Sequence, residues 1–305
     1  MFKVIGALPL GGAVMSWLRH NRAGLKNYDF STRTYILDDF SRLLEGEYLD
    51  VEGASFVEIG GGWHPVLSLF LHGLGAERIV LTDIARHMRP QYVAQTIDFV
   101  RSHGADELAA RGVRFDRDAF QGRLDALRGS ESEVFDRMER VGMTYRAPLD
   151  FTRAPFADGE FDCVYSNSCL GYIPVPVLSE IFAETSRVVK QNGVVVHSIH
   201  VYDDFCGDGS EIGPVNFLKY SADEWNRIGN SSIHHQSRLR PKDYVDLATG
   251  AGLAVEVEDR IFKRIPDFDV ENVELHPDFQ GLPEDEIRCR NLFLLARKPV
   301  AQSVG

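Results

Sequence analysis

Several common signals are missing from this sequence. It has four cysteines, Cys163, Cys169, Cys206 and Cys289, and no two of them stand in Cys-x-x-Cys spacing. Neither a disulfide framework nor a zinc knuckle is therefore expected, and a reducing compartment, the cytoplasm, fits the chain. Basic residues are in the minority: 33 Lys and Arg face 45 Asp and Glu, for a net charge of -12. No Lys/Arg cluster stands out, which argues against binding to a phosphate backbone and leaves a mild preference for neutral or cationic ligands. No apolar run reaches membrane-spanning length, so no integral membrane association is expected. The apolar stretch from Val4 to Leu18 follows Lys3, but Gly6, Pro9, Gly11 and Gly12 interrupt it and no small-residue cleavage site follows. It reads as a docked N-terminal segment rather than a leader. Internal repeats and low-complexity tracts are also absent.

The 305 residues do supply ample core material, with 44% hydrophobic and 26% charged residues. Ile36, Leu37, Phe40, Leu43 and Leu44 recur at helical spacing, so Ser31 to Leu44 reads as a helix that Ser31 or Thr32 caps. Strand and helix signals then alternate. Strands are expected at Ser55 to Ile59, Arg78 to Thr82, Thr144 to Leu149, Phe161 to Ser166 and Gly193 to Ile199, then at Leu253 to Phe262 and Asn291 to Arg297. Helices are expected at Pro65 to Leu74, Tyr92 to Val100, Ser130 to Arg140 and Val177 to Val189. This alternation gives an α/β fold, a Rossmann-like seven-stranded, mostly parallel sheet with helices on both faces. One of the last two strands is a candidate for antiparallel pairing. Two insertions, 85–141 and 201–249, lie beside the carboxyl ends of strands, where open α/β sheets bind ligands, and both are expected to help cover a pocket.

The central motif is Val57-Glu58-Ile59-Gly60-Gly61-Gly62-Trp63-His64-Pro65, a strand running through glycines toward a helix. Glycine lets the backbone turn sharply and approach a ligand closely, and a helix start offers unpaired N–H groups. A plain strand–helix turn would look the same. Dinucleotide binding asks for G-x-G-x-x-G, and Pro65 stands at the third glycine position; a phosphate loop would need a following Gly-Lys-Ser/Thr. Asp83 ends the second strand, 23 residues after Gly60, where an acid can accept both hydroxyls of a ribose. The bland alternative for Asp83 is a helix cap. Asp150, with Phe151 beside it, could bond an adenine amino group while the aromatic ring stacks, or could simply hold a turn.

As an ordered set, Glu58-x-Gly60-x-Gly62, Asp83, Asp150 and the run Phe161-Asp162-Cys163-Val164-Tyr165-Ser166-Asn167-Ser168 resemble class I S-adenosylmethionine-dependent methyltransferases. So does Arg187-Val188-Val189-Lys190-Gln191-Asn192-Gly193 with the strand after it. The resemblance spans roughly Val51 to His200 and the last two strands. It implies S-adenosyl-L-methionine as cofactor and S-adenosyl-L-homocysteine as product. Glu58, Gly60, Gly61, Gly62 and His64 would then face the methionine portion, Asp83 and Ile84 the ribose and its surroundings, Asp150 and Phe151 the adenine, and Asn167 the sulfonium side. Residues 51–305 would form the methyltransferase domain with cap insertions at 85–141 and 201–249, and residues 1–50 a helical segment docking on it. The chain departs from the family's pattern twice: His64 replaces a frequent third glycine, and Leu170-Gly171-Tyr172 replaces Leu-Glu-His after the fourth strand.

Methyl transfer is an in-line displacement in which the protein supplies alignment and, for a weak nucleophile, a base. Candidates for the base cluster after the fifth strand: His197, His200, Tyr202, Asp203 and Asp204, then His234 and His235. Imidazole titrates near neutrality. His200, just past the strand, is preferred, with His234 and His235 able to reach the same pocket, whereas His197 inside the strand reads as a core residue. The i, i+3, i+6 spacing of His197, His200 and Asp203 makes no coherent metal face, and no metal is expected. Tyr202, Asp203, Tyr172 and Arg238 are the candidate substrate contacts. Asn216-Phe217-Leu218-Lys219-Tyr220 and Trp225 would shape an apolar acceptor pocket or form plain cap core. The expected activity is methylation of a small molecule in biosynthesis, on oxygen of a natural product or sugar-like acceptor. The alternatives are a cofactor-binding regulatory or scaffold protein and a nicotinamide-dependent reductase. Oligomeric state stays open.

Overall fold

The computed structural model describes Phe30 and residues 34–206, 212–231, 234–261 and 274–300. Seven strands form one sheet in the order β3-β2-β1-β4-β5-β7-β6. They are β1 (Ser55–Ile59), β2 (Arg78–Thr82), β3 (Met143–Arg146), β4 (Phe161–Asn167), β5 (Val189–His200), β6 (Ala254–Ile261) and β7 (Asn291–Arg297). The first five pair in parallel, while β7 lies antiparallel between β5 and β6. That meets the expected sheet class and settles which strand is reversed.

Strand residues alternate between two cores, as the pleat demands. Phe56, Ile79, Leu81, Cys163, Tyr165, Val194 and Val196 point into one core. Val57, Ile59, Val80, Val164 and Val195 point into the other. Both faces are covered, so the central strands read as near-continuous apolar runs. The first core takes α1 (Tyr35–Leu44), α2 (Val66–Gly73), α3 (Pro90–Ala110), α4 (Arg117–Asp125) and α5 (Val134–Arg140). The second takes α6 (Val175–Val188) and α8 (Pro241–Gly250).

Helix α1 buries Ile36, Leu37, Phe40, Leu43 and Leu44, the stripe read from its spacing. Its expected caps, Ser31 and Thr32, lie outside the described residues, as does the Val4 to Leu18 segment; Thr34 precedes the helix without a side-chain cap bond. Helix α4 has no counterpart among the sequence expectations, because only Phe120 and Leu124 on it are buried; Asp116 caps it by accepting from the Ala119 N–H at 3.0 Å. The expected third strand runs only to Arg146 instead of Leu149.

The two insertions behave differently. In 85–141, Phe120, Leu124, Val134 and Met138 are buried in the first core, so its helices pack on the sheet. In 201–249, Val215, Phe217, Leu218 and Trp225 join Ile287 in a small third core around α7 (Ala222–Ile228), which a Ser221/Glu224 capping box starts. The guanidinium of Arg240 ties this cap to the sheet. It is 1% exposed and donates to the carbonyls of Val201, Glu286, Ile287 and Cys289. Five hydrogen bonds from its three nitrogens to these carbonyls leave few of its N–H groups unmet, which is what allows a fixed charge to be buried there. The short helix α9 (Glu284–Arg288) carries the Glu286 and Ile287 carbonyls that Arg240 holds. Among the described residues no helix is long and apolar enough to cross a membrane.

Candidate active site

Parallel strands place the carboxyl ends of β1, β2, β4 and β5 on one edge of the sheet. The connections leave to opposite sides at β1 and β4, which opens a crevice there. A cleft of about 770 Å³ occupies it, a size ordinary for a small-molecule site. Gly60, Gly62, Asp83, Ile84, Asp150, Phe151, Asn167, Tyr172, His234 and His235 line it together with Trp63, His87, Ser168, Cys169 and Asp204.

The glycine turn forms the cleft's floor. Gly60 and Gly62 hold positive φ of 75° and 61°. A Cβ on Gly60 would come within 2.3 Å of Cys169 Sγ, so only glycine lets the turn pass beneath that side chain. The amides of Gly60 and Gly61 both donate to Thr82 O at 2.9 Å. Asp83 completes the clamp: Oδ2 accepts from the Gly62 N–H at 3.0 Å and Oδ1 from the Ala85 N–H at 3.1 Å. Each carboxylate oxygen has a second lone pair, so Asp83 can hold the turn and still accept from a ligand. Ile84 beside it is 70% exposed on the cleft rim. Across the cleft, Asp150 Oδ1 accepts from the Thr152 N–H at 3.0 Å and its hydroxyl at 2.8 Å, capping the turn Phe151–Arg153. The turn reading of Asp150 is thus realised, and its carboxylate remains on the cleft wall.

The other half of the cleft is built from segments far apart in the chain. The Tyr172 hydroxyl donates to Asp204 Oδ1 at 3.0 Å. Burial pushes Asp204 up to about 6; the Tyr172 hydrogen bond opposes this and the Asp203 carboxylate adds to it. Burial and the neighbouring Asp204 raise the Tyr172 phenol. Ile173, Pro174, Val177 and Ile181 give this half an apolar flank. Burial lowers the proton affinity of His235. Trp63 lies over His87 at a 4.8 Å ring separation, and His87 Nε2 is 3.8 Å from Asp83 Oδ1.

Seven of the expected site residues lie off the cleft lining. Glu58 points into the first core, where Oε2 accepts from Ser68 Oγ at 2.7 Å and the Tyr165 hydroxyl at 3.0 Å; burial lifts it to about 7. Gly61 packs on Met88 and Leu81. His64 turns toward α3: its Nδ1 is 3.1 Å from Thr96 Oγ1, and its ring contacts Tyr92 and Phe30. The bulk in place of a glycine therefore fills a gap between the turn and α3. His200 Nε2 is 3.1 Å from Ser168 Oγ, one residue removed from the cleft surface. The Tyr202 ring packs 5.3 Å from that of His200. Asp203 is fully buried and accepts from the Phe205 N–H and Asn216 Nδ2, so it holds its own loop. Arg238 donates to the carbonyls of Phe217 and Tyr220 and stacks over Phe279, inside the cap.

Asp204 is a residue that the sequence named as one base candidate among several, with His200 preferred to it. Its signal was short-range, one acid among several in a loop, whereas its partner Tyr172 comes from the turn after β4. Ser168 and Cys169 carried no sequence signal; the positive φ of Ser168, 54°, folds the chain back over Gly60 at this point.

The methyltransferase-domain family matches residues 130–197, from the end of the first insertion through β5. No curated protein sequence matches the chain. Among solved structures, it is similar to an S-adenosylmethionine-dependent methyltransferase from Mesorhizobium loti, 16% identical over 85% of this chain and 97% of that one, with a TM-score of 0.46. It is also similar to a methyltransferase of that kind from Methanosarcina mazei, 14% identical over 84% and 96%, TM-score 0.44. A third is the geranyl diphosphate C-methyltransferase of Streptomyces coelicolor, 13% identical over 88% and 78%, TM-score 0.44. The family match makes residues 130–197 similar to a methyltransferase domain, and the sheet ordered 3-2-1-4-5-7-6 with a glycine turn at its switch point gives the chain a Rossmann-like fold around that segment.

Proposed function

We propose that the chain methylates a hydroxyl oxygen of a small molecule, a natural product or sugar-like metabolite in a cytoplasmic biosynthetic step. The observation that carries this reading is a single cleft that joins the glycine turn and Asp83 to the polar, part-apolar wall of Tyr172, Asp204, His234 and His235. The residues fit the cofactor. The turn is a cradle that a Cβ at Gly60 would fill, and among the described residues no lysine or arginine lines the cleft, which suits a nucleoside without phosphates better than a dinucleotide. Asp83 would accept the ribose hydroxyls, Ile84 and Phe151 would flank the adenine, Asp150 would take its amino group, and Gly60, Gly62 and Asn167 would border the methionine end. Glu58, Gly61 and His64 would act from behind, by fixing the turn. When bound, the cofactor supplies an electrophilic methyl whose bond to sulfur breaks with its electron pair left on sulfur.

His234 and His235 would serve on the acceptor side, and His200 would reach it only through Ser168. Tyr172 would contact the acceptor directly, with Tyr202, Asp203 and Arg238 acting through the cap. We take 201–249 as the cap of this site, 51–305 as the domain, and the segment 1–50, whose α1 reaches β5 and β7 through Asp39, Ser198 and Asn291, as docked on it. Cysteines unpaired in any disulfide support the cytoplasm. The departure at Gly171 has a packing cause, since a Cβ there would come within 2.5 Å of His200 O; it therefore lends no support to a non-methylating scaffold. Incubation with methyl-labelled S-adenosylmethionine and pooled hydroxyl-bearing metabolites tests the proposal. Label on a small-molecule ether supports it. Tight cofactor binding with no label in any small molecule overturns it in favour of a regulatory protein.

A further inference from the structure

The acceptor half of the cleft holds a carboxylate that the described residues use at one oxygen. Asp204 Oδ1 accepts from Tyr172, while Oδ2 accepts no hydrogen bond among the described residues, although the residue lines the cleft. Asp204 is half-buried and lines the cleft, so its second oxygen has room to accept from a ligand hydroxyl. The loop that carries it is held fast. Gln236, 2% exposed, uses both ends of its amide: Oε1 accepts from the Asp204 N–H at 3.2 Å and Nε2 donates to Tyr202 O at 2.5 Å. The partners fix the amide's orientation, because one is a donor and the other an acceptor. Asn230 Oδ1 accepts from the Gln236 N–H at 2.8 Å, and the Trp225 indole donates to its carbonyl at 3.0 Å. Three segments thus converge to set one carboxylate in the cleft, and such preorganisation is what a proton-transfer group requires.

The surroundings select what this carboxylate can meet. Among the described residues no lysine or arginine lines the cleft, and Asp83 and Asp150 line it with Asp204. An acceptor carrying a carboxylate or phosphate would find no counter-ion. A cationic acceptor would share the cleft with the cofactor's own positive charge. An uncharged hydroxyl suffers neither penalty, and the flank of Ile173, Pro174, Val177 and Ile181 favours an apolar body behind it.

We infer that Asp204 is the catalytic residue that takes the acceptor's proton, and that the acceptor is an uncharged alcohol or phenol on an apolar frame. The inference rests on the methyl-transfer reading above. As the acceptor oxygen bonds to the methyl carbon its O–H bond breaks, the proton passes to Asp204 Oδ2, and the carboxylic acid later returns it to water. A carboxylate pushed up to about 6 is mostly ionised at neutral pH yet basic enough to accept. The groups facing it are Tyr172 from the turn after β4, Tyr202 and Asp203 from its own loop, and His234 and His235 from the segment before α8.

The test uses the full chain loaded with sinefungin, whose amine carries the cofactor's positive charge without a transferable methyl. Phenol, benzylamine, benzoate and phenyl phosphate are titrated in turn, and the carboxyl-carbon resonance of Asp204 is followed by NMR. Phenol is expected to bind at least about tenfold tighter than the other three and to shift Asp204, and Asp204→Asn is expected to erase that preference while sinefungin affinity stays within about twofold. Tyr172→Phe, which keeps the ring, removes a hydrogen bond that favours the charged form and is expected to move the Asp204 titration upward from about 6. Benzoate, phenyl phosphate or benzylamine binding as tightly as phenol overturns the inference. So does an absence of phenol binding, a preference intact in Asp204→Asn, or an Asp204 titration indifferent to Tyr172→Phe. Failure of the unaltered protein to bind sinefungin would instead strike the methyl-transfer reading itself.

Discussion

The two halves of the cleft are made in different ways. The half proposed for the cofactor is backbone: a glycine turn whose amides bond to Thr82 O and Asp83, at strand ends that the parallel sheet brings side by side. The acceptor half is side chain upon side chain, Tyr172 to Asp204 and Gln236 to the Tyr202–Asp204 loop, across separations of about thirty residues. The first half is defined by the fold and suits a constant ligand. The second hangs on a cap with its own small core, so it can vary in shape without disturbing the sheet.

If this division is real, substitutions should separate binding of the cofactor from use of the acceptor. The largest effect is expected for Asp83→Ala. Loss of two hydrogen bonds to a charged acceptor, about 1.5–3 kcal/mol each, should weaken S-adenosylmethionine binding by at least about a hundredfold in calorimetry. Unchanged affinity would leave Asp83 as only the clamp of the turn. Gly60→Ala comes next: a positive φ and a Cβ pressed on Cys169 Sγ should cost about 2–4 kcal/mol in urea unfolding. A variant as stable as the parent would show that the turn yields.

The acceptor half should respond in the opposite sense. Gln236→Ala strands the Asp204 N–H and the Tyr202 carbonyl, which should cost about 1–3 kcal/mol of stability and lower acceptor-dependent turnover while cofactor affinity stays within about twofold. A parallel loss of cofactor affinity would merge the two halves. The smallest effect concerns pH. Glu58 is raised from 4.5 to about 7, so between those values the folded state keeps a proton the unfolded chain has lost, and stability falls as pH rises. His197, buried beside Ser166, is lowered from 6.5 to about 3, so across that range the unfolded chain binds the extra proton and stability rises with pH. From 4.5 to 6.5 the two slopes oppose. Glu58→Gln should unmask the second, a rise of about 1 kcal/mol per pH unit in chemical denaturation. A profile as flat as the parent's would remove either burial or the assigned direction.

The same division governs how much could be read from residue order. Sheet class, strand sites and the stripe of α1 follow from local periodicity, and β1 to β5 were located to within a few residues. The glycine turn, Asp83 and Asp150 were legible because each sits at a strand end, a position that periodicity marks. Two of those readings were incomplete: Asp83 also clamps Gly62, and Asp150 caps the turn that follows it. His64 misled, since its packing on α3 depends on Phe30, Tyr92 and Thr96, none of them neighbours in sequence. In the acceptor half, sequence offered a crowd of equivalent loop residues. What separates Asp204, on the cleft, from Asp203, beside it and fully buried, is which way a loop turns, and Gln236 sets that from more than thirty residues away.

Strand β7 has a consequence for the order of events during synthesis. It follows all the other strands in the chain, yet it lies between β5 and β6, and it is the strand with which β6 pairs. Until it arrives, the inner edge formed by β5 stays open and β6 has no partner in the sheet. A nascent chain that has already built the glycine turn thus carries an unfinished apolar edge, a natural client for a chaperone. β6 has only exposed and half-buried positions and bears Glu256, Glu258, Asp259 and Arg260. Those charges suit a strand that must wait in water and finish as the outer edge, where they discourage pairing with another chain.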